Sequence, residues 1–177
     1  MKKSTKSSDT AFTEDLSAEK GKVSETNANN NYLTSFVYEG YRIFTLNKEK
    51  PESKMTPFEK MDLSRKGISK NELISLKSKS GLDYSRLATA LSVTRATLIN
   101  KKGSEKFSPT LSEKIIDLAN IYSYGYEVFE DIQKFNKWMD NPNTALGGVK
   151  PIEVIDNQFG REEVKHIIGR IDHGVYS

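Results

Sequence analysis

Apolar residues recur at helical spacing through most of the chain after Met55. The clearest case follows Ser108-Pro109, a pair typical of a helix start. Five apolar residues there lie at positions i, i+4, i+7, i+8 and i+11 and therefore share one face of a helix: Leu111, Ile115, Leu118, Ala119 and Tyr122. The pair Tyr124-Gly125 is predicted to end this helix. Residues after Met55 are predicted to be all-α.

Capping signals predict two shorter helices before it. The first begins with Thr56 and Glu59, which fit a capping box, and is stopped by Gly67 after about Lys66. The second begins at Ser69 and ends at Gly81, a residue that suits a helix C-cap.

Two further helices are predicted towards the C-terminus. Apolar spacing from Tyr126 to Met139 predicts one that Pro142 terminates, and Trp138 is expected to serve mainly as a core anchor within it. The last helix is predicted to carry Glu162 and Glu163 in its first turn, where acidic side chains suit the positive end of the helix dipole. Its predicted buried face consists of Val164, Ile167, Ile168 and Ile171.

The N-terminal residues differ in character from the rest. Residues 1–31 are rich in Ser, Thr, Asn and Lys and are predicted to be disordered, because they cannot bury enough apolar surface to offset the entropy of ordering. From Tyr32 to Leu46 the chain becomes β-prone, with a break at Glu39-Gly40. That run fits either a small hairpin or a segment that orders only on a partner.

Residues 83–103 read DYSRLATALSVTRATLINKKG, and their apolar spacing fits a helix-turn-helix. Ser92 stands where such turns commonly have Gly with a positive φ, so the turn is expected to be strained or differently shaped. The residues predicted to pack the two helices are Leu87, Ala88, Leu91, Val93 and Leu98.

The opposite face of the second of these helices lies in the most basic part of the chain. Residues 65–124 hold 11 basic and 5 acidic side chains, against 10 and 10 in residues 1–64 and 6 and 9 in residues 125–177. Arg, Asn and Thr can read base edges in a major groove, whereas Lys neutralises phosphates. The predicted DNA-contacting residues are Thr94, Arg95, Thr97, Asn100, Lys101 and Lys102. A solvated basic face on an ordinary helical bundle is the alternative interpretation.

From Trp138 onward the chain is dense in residues that fix backbone direction. A Trp is followed by a Pro-Asn turn, Ala-Leu-Gly-Gly, a Pro-led short segment and a terminal Arg-Ile-x-x-Gly-Val-Tyr. This segment resembles the C-terminal toxin-binding domain of the Xre/MbcA/ParS antitoxins, and the resemblance extends upstream through Gly67. The matching residues are Trp138, Pro142-Asn143, Ala145 to Gly148, Pro151 to Ile155, Arg170-Ile171 and Gly174 to Tyr176.

Three regions are predicted: a disordered or partly ordered N-terminal extension (1–54), which the resemblance does not cover, an Xre-like helix-turn-helix domain (55–124) and a toxin-binding domain (125–177). The resemblance implies a type II antitoxin whose partner is a RES-domain toxin, which depletes NAD, and it implies that the antitoxin represses its own operon. The polar and aromatic residues at the C-terminal end predict that the inhibition is steric. Reading a palindromic operator would need a homodimer, and a larger hetero-oligomer with the toxin is expected. The residues expected to enter the toxin's cleft are Arg170, Asp172, His173, Gly174, Val175, Tyr176 and Ser177.

Two alternatives remain open from the sequence. Val175 and Tyr176 could fold back onto the helical bundle instead of entering another protein. The whole chain could also be a stand-alone helix-turn-helix transcription regulator whose C-terminal domain dimerises or binds another ligand.

Catalytic chemistry is not predicted. His166 and His173 are the only histidines and have no third ligand at an obvious position, so neither a metal site nor a cofactor is expected. The chain has no cysteine, and Gly147-Gly148 is interpreted as a tight reversal between helices. No catalytic constellation is found, so a non-enzymatic protein is predicted. No apolar run approaches the roughly 18 residues that cross a bilayer, so the protein is predicted to be cytoplasmic and to have no membrane partner.

Overall fold

The structure, a computed structural model, describes residues 41–46 and 50–175. Short 3₁₀ turns lie at Glu52–Lys54 and Thr144–Leu146, and the described residues contain two isolated β-bridges and no strand. The α-helices, in chain order, are α1 (Pro57–Lys66), α2 (Lys70–Ser80), α3 (Tyr84–Ala90), α4 (Arg95–Ile99), α5 (Pro109–Phe129), α6 (Ile132–Met139), α7 (Pro151–Val154) and α8 (Gln158–Asp172). The predicted all-α class, with a helix-turn-helix followed by C-terminal helices, is confirmed.

The capping residues predicted from sequence begin and end the first helices. Thr56 and Glu59 form a reciprocal capping box on α1, with Glu59 Oε2 accepting from the Thr56 N–H at 2.6 Å. Ser69 caps α2, and Gly81 ends it in the left-handed conformation with φ 71°. These starts were predictable because each depends on side chains within three residues of the backbone group that they satisfy.

α5 lies at the centre of the core. Its predicted apolar stripe is buried along its whole length: Leu111, Ile115, Leu118, Ala119 and Tyr122. Helices α1, α6 and α8 pack against it, so α5 contributes to the core on several sides. That position explains why a helix of 21 residues is buried at more positions than one amphipathic stripe supplies.

The prediction that α5 ends at Tyr124-Gly125 is wrong, because the helix continues to Phe129. Gly125 lies inside the helix, and a Cβ on it would sit 2.1 Å from Cε2 of Phe135. The glycine therefore allows the buried ring of Phe135 on α6 to approach the α5 backbone, and it does not terminate the helix.

The predicted helix from Tyr126 to Met139 is consequently divided. Glu130 adopts a left-handed conformation with φ 53° and separates α5 from α6. Asp131 then caps α6, with its Oδ1 accepting from the N–H groups of Gln133 at 2.8 Å and Lys134 at 3.0 Å. A capping aspartate between two helical patterns is a signal for this break.

The last helix begins earlier than predicted. Asn157 caps α8 by accepting from the Gly160 N–H at 3.1 Å, so Glu162 and Glu163 fall in the second turn. Gly160 is needed here for space, since a Cβ on it would lie 1.6 Å from the Val154 carbonyl oxygen. The close approach brings the start of α8 directly against α7.

Residues 41–46 dock on the helices through two carboxylates. The buried Glu52 side chain accepts from the N–H groups of Ile43 and Phe44, each at 2.7 Å, and Glu72 accepts from the Thr45 N–H at 2.9 Å. Burial raises the pKa of Glu52, and these backbone N–H groups oppose that rise. The described part of the β-prone run forms no strand; the rest of that run and the predicted disordered tail lie outside the described residues.

Candidate functional site

Helices α3 and α4 form the helix-turn-helix. Leu87, Leu91 and Leu98 are completely buried, Ala88 is buried where the helices cross, and Val93 packs partly buried in the turn. This packing agrees with the prediction for all five residues. It presents the opposite face of α4 to solvent.

The turn between α3 and α4 is held in a strained conformation by one hydrogen bond within the motif and one outside it. Ser92 has a φ of 53°, which costs a residue with a Cβ about 1–2 kcal/mol. Its N–H donates to the Thr89 carbonyl at 3.0 Å, and its hydroxyl donates to the Asp156 carbonyl at 2.5 Å. The expectation that the turn is strained for a serine is confirmed. The hydrogen bond to the Asp156 carbonyl explains why a serine occupies this position instead of a glycine.

The six predicted DNA-contacting residues fall on one continuous segment. Thr94 caps α4, its hydroxyl accepting from the Thr97 N–H at 3.2 Å, so that side chain is partly committed to the helix start. Arg95, Thr97, Asn100 and Lys102 are exposed, and Lys101 is half-buried. Because α4 spans only Arg95–Ile99, Asn100 is its C-cap and the two lysines lie in the following loop.

Lys70, which sequence reasoning missed, fixes the end of α4. Its side chain is 6% exposed, its Nζ donates to the Leu98 carbonyl at 2.5 Å, and it lies 4.2 Å from the centre of the Tyr84 ring. The ammonium thus joins the C-terminal end of α4 to the first residue of α3. Its position one turn before the buried Leu73 was a signal that the side chain faces the core.

A second missed residue, Arg161, joins α8 to the helix-turn-helix. Its Nη1 donates to the carbonyls of Ala90 at 3.3 Å and Ile155 at 3.0 Å, while its Nε lies 2.9 Å from Asp117 Oδ2 on α5. Arg161 shares the buried stripe of α8 with Val164 and Ile168, at i, i+3 and i+7. That spacing could have identified it as a buried arginine.

Trp138 lies at the edge of an aromatic cluster. Its ring stacks on Phe135 with centroids 5.6 Å apart and an interplanar angle of 23°, and it also contacts Phe129 at 5.5 Å. The side chain is half-buried, so it anchors the core as predicted and also contributes to the surface. Its exposed part faces the turn that follows α6.

The segment between α6 and α7 is a tight reversal, as predicted for Gly147-Gly148. Both glycines have positive φ, 68° and 85°, and the Asn143 N–H donates to the Val149 carbonyl at 3.1 Å across the turn. The Asn143 side chain accepts from the Ala145 N–H at 2.9 Å, which shapes the Pro-Asn turn.

A cavity of about 220 Å³ lies between this turn and the end of α8. Its lining combines apolar side chains with polar groups of the turn and one cation: Trp138, Pro142, Asn143, Thr144, Ala145, Ile167, Arg170, Ile171 and Val175. Two of the predicted toxin-binding residues, Arg170 and Val175, therefore border one concave surface.

The end of α8 is closed by a Schellman motif. Gly174 has a φ of 71°, and the N–H groups of Gly174 and Val175 donate to the carbonyls of Ile171 at 3.0 Å and Arg170 at 2.8 Å. Val175 remains 55% exposed. The motif directs the chain away from the helix axis beside the cavity.

The other predicted toxin-binding residues differ in their surroundings. Asp172 accepts from the Tyr124 hydroxyl at 3.2 Å, and burial together with this carboxylate raises the pKa of Tyr124. His173 is exposed, and Tyr176 and Ser177 lie outside the described residues. Arg170 and Val175 are thus brought together at the cavity, His173 and Gly174 are their neighbours along the chain, and Asp172 is used within the fold.

No group of three or more His, Asp or Glu side chains in residues 41–46 and 50–175 is arranged to hold a metal ion. None of the helices described is both long and apolar enough to cross a bilayer.

Comparison with known proteins gives two family matches. Residues 60–120 match the Antitoxin Xre-like helix-turn-helix domain, and residues 125–174 match the Antitoxin Xre/MbcA/ParS C-terminal toxin-binding domain. The first match covers α2 to α4 and most of α1 and α5; the second begins inside α5 and contains α6 to α8.

Three curated relatives agree with these matches. The chain is 33% identical over 76 residues to the Antitoxin Xre of Photorhabdus laumondii, a match that covers 42% of this chain and 51% of that relative. It is 24% identical over 133 residues to the Prs ADP-ribosylating antitoxin of a Sphingobium species, covering 69% and 83%. It is 25% identical over 119 residues to the Antitoxin Xre of Yersinia enterocolitica, covering 66% and 80%. Together with the two domain matches, these similarities show that the chain belongs to the Xre/MbcA/ParS family of antitoxins.

Proposed function

We propose that this protein is the antitoxin of a type II pair and that it inhibits a RES-domain, NAD-depleting toxin by occupying its catalytic cleft. The observation that carries the proposal is the Schellman turn at the end of α8, which leaves Val175 exposed within the matched toxin-binding domain. Arg170 can donate paired hydrogen bonds to a carboxylate of the toxin, and the exposed Val175 can enter an apolar recess. Inhibition by this route is steric and needs no catalytic residue on the antitoxin.

Removal of the residues after Asp172 tests this proposal. The shortened chain keeps the Tyr124–Asp172 hydrogen bond but loses the Schellman motif, so the last turn of α8 is expected to fray while the buried part of the helix stays folded and thermal unfolding falls only slightly. Cells expressing the toxin should no longer be rescued. His166→Ala, on an exposed position of the same helix, is the matched control and should rescue fully. Full neutralisation by the shortened chain would refute the cleft-plugging mechanism.

A second candidate partner is an ADP-ribosylating toxin. The Sphingobium relative is named for ADP-ribosylation of Prs, and its match covers more of this chain than that of the Photorhabdus relative. Incubating the purified toxin with labelled NAD and its protein target distinguishes the two candidate activities. A NAD-depleting toxin destroys NAD without labelling protein, whereas an ADP-ribosylating toxin transfers labelled ADP-ribose to its target.

We also propose that the helix-turn-helix binds operator DNA and represses the operon. Support comes from the exposed Arg95, Thr97 and Asn100 on α4 and from Lys102 after it, because these side chains can form base and phosphate contacts. Arg95→Ala combined with Asn100→Ala should lower operator affinity in a gel-shift titration and leave toxin capture intact. Equal operator binding by the double variant would remove α4 from the proposed reading surface.

A stand-alone transcription regulator remains the rival from another class. Co-purification with the product of the neighbouring gene separates the two. A stable complex with a toxic neighbour supports the antitoxin, and a protein that ignores that product while binding DNA supports the regulator.

A further inference from the structure

The C-terminal end of α1 carries exposed cations that the predicted reading surface does not include. Arg65 and Lys66 occupy the last turn of α1, and Lys106 lies beside them in the loop between α4 and α5. These three residues are called the basic end of α1. All three side chains are exposed.

The Lys106 side chain and the neighbouring backbone hold the loop before α5 against the end of α1. Lys106 Nζ donates to the Lys66 carbonyl at 2.7 Å, and Lys106 forms an isolated antiparallel bridge with Ser69. The Phe107 N–H donates to the Ile68 carbonyl at 2.9 Å. A Cβ on Gly67 would lie 3.0 Å from the Phe107 carbonyl oxygen, which shows how closely the two segments approach.

The same loop connects the basic end of α1 to the helix-turn-helix. The N–H groups of Lys70 and Asn71 donate to the carbonyls of Glu105 at 2.9 Å and Gly103 at 3.0 Å, so the loop lies along the start of α2. Lys106 is six positions after Asn100, and a chain of that length spans at most about 20 Å. Along duplex DNA, with one phosphate per strand every 3.4 Å or so, this distance covers about six phosphates.

The charge of the region favours a polyanion. The basic end of α1 and the neighbouring loop contribute five cations, Arg65, Lys66, Lys101, Lys102 and Lys106, against the two exposed carboxylates Asp62 and Glu105. The carbonyl end of α1 adds only about half a negative charge. Even with both carboxylates counted, the surface is therefore clearly cationic.

We propose that the basic end of α1 is a second DNA-backbone contact, adjacent to the base-reading face of α4. This inference rests on the proposed DNA binding and extends its footprint. Arg65 and Lys66 neutralise phosphates on the duplex that α4 reads, and they act without regard to base sequence. They strengthen binding to operator and to unrelated duplex alike.

The salt dependence of DNA binding tests the proposal. Each phosphate contact adds about 0.9 to the slope of log Kobs against log salt, so Arg65→Ala with Lys66→Ala should make the slope shallower by about 1.8. Between 50 and 200 mM salt, the full chain should then lose about 12-fold more affinity than this variant. Lys134→Ala with Lys137→Ala, which removes the same charge from the exposed face of α6, is the control and should keep the slope of the full chain.

Each outcome points to a different conclusion. The expected result is the shallower slope on both operator and unrelated duplex, with unchanged thermal unfolding. A slope identical to that of the full chain would overturn the basic end of α1 as a contact while leaving operator binding by α4 in place. A loss of toxin capture with unchanged DNA binding would overturn it by assigning the surface to the toxin. Failure of the full chain to bind any duplex would instead refute the proposed DNA-binding function.

Discussion

Replacing Gly125 by Ala tests whether α6 can pack closely on α5 only because Gly125 has no side chain. An added Cβ would lie 2.1, 2.2 and 2.5 Å from three atoms of the Phe135 ring, all closer than such contacts allow. The ring is completely buried and meets Tyr122, Tyr126 and Phe129 edge-on, with centroids 5.3 to 5.6 Å away. It cannot turn aside without displacing those rings.

Two effects of opposite sign determine the magnitude. Alanine is favoured over glycine in a helix interior by about 1 kcal/mol. Overpacking a well-filled core costs about 1–3 kcal/mol, and the neighbouring rings place Phe135 at the upper end of that range. Gly125→Ala should therefore destabilise the protein by about 2 kcal/mol.

Gly169→Ala is the matched control. Gly169 also lies within a helix, but its Cβ would have the Tyr124 hydroxyl at 3.5 Å as its nearest neighbour, an ordinary contact. Only the helix preference remains, so this variant should gain up to about 1 kcal/mol. The two substitutions are chemically identical and differ only in the space available.

Thermal unfolding followed by circular dichroism measures the difference. For a chain of this size, 1 kcal/mol corresponds to roughly 3 °C, so Gly125→Ala should lower Tm by about 6 °C and Gly169→Ala should raise it by up to about 3 °C. If Gly125→Ala proved as stable as Gly169→Ala, the close approach of Phe135 would not be the reason for the glycine.

Three further predictions concern single polar contacts. Ser92→Ala should lower the free energy of unfolding by about 1 kcal/mol in urea titrations because the bond to the Asp156 carbonyl is lost, whereas Ser92→Gly loses the same bond but relieves the positive φ and should be nearly neutral. Lys70→Met leaves the Leu98 carbonyl without its donor, so it should cost about 1–3 kcal/mol and weaken operator binding in gel shifts, with toxin capture unchanged. The hydrogen bond from Lys50 and that from the Thr56 N–H lower the pKa of Glu59 from 4.5 to about 2, so the stability that Glu59 adds is fully present above pH 4.5 and is lost as the pH falls towards 2. Urea midpoints across that range should therefore decline less in Glu59→Gln than in the unmodified protein.

Helix starts were predictable where the signal is local. Thr56, Ser69 and Ser108 each accept from a backbone N–H three residues ahead, so a few neighbouring letters determine the cap. The same holds for the helix-turn-helix, whose apolar spacing is set within a dozen residues. The exposure of Asn100 follows from the burial of Leu98, because residues two apart point to different sides of a helix.

Glycines inside helices were harder to interpret from the sequence. A glycine alone does not distinguish a helix end from a close approach, so the predicted end at Gly125 is wrong; the difference depends on Phe135, ten residues away. Gly160 likewise sits in α8 because of the Val154 carbonyl. The start of α6 had a readable signal in Asp131, but the continuous apolar pattern across it outweighed that signal.

Bonds from side chains to distant carbonyls lay beyond local reasoning. Lys70 reaches Leu98, 28 residues away, and Arg161 reaches Ala90, 71 residues away. Periodicity indicates that both side chains face the interior, yet their partners are fixed only once the helices pack. These two contacts position the helix-turn-helix, so the interactions that orient the proposed DNA-binding surface could not be predicted from the sequence.

The shared helix α5 and the hydrogen bonds between the domains make the two matched domains mutually dependent. α5 belongs to both, since one family match ends at residue 120 and the next begins at residue 125 within the same helix. The turn before α4 receives hydrogen bonds from α5 and α8: Lys114 Nζ donates to the Leu91 carbonyl at 3.2 Å, and Arg161 donates to the Ala90 carbonyl. Because the helix that ends beside the proposed toxin-binding cavity also fixes the turn that orients α4, the proposed DNA and toxin surfaces are built on one continuous core.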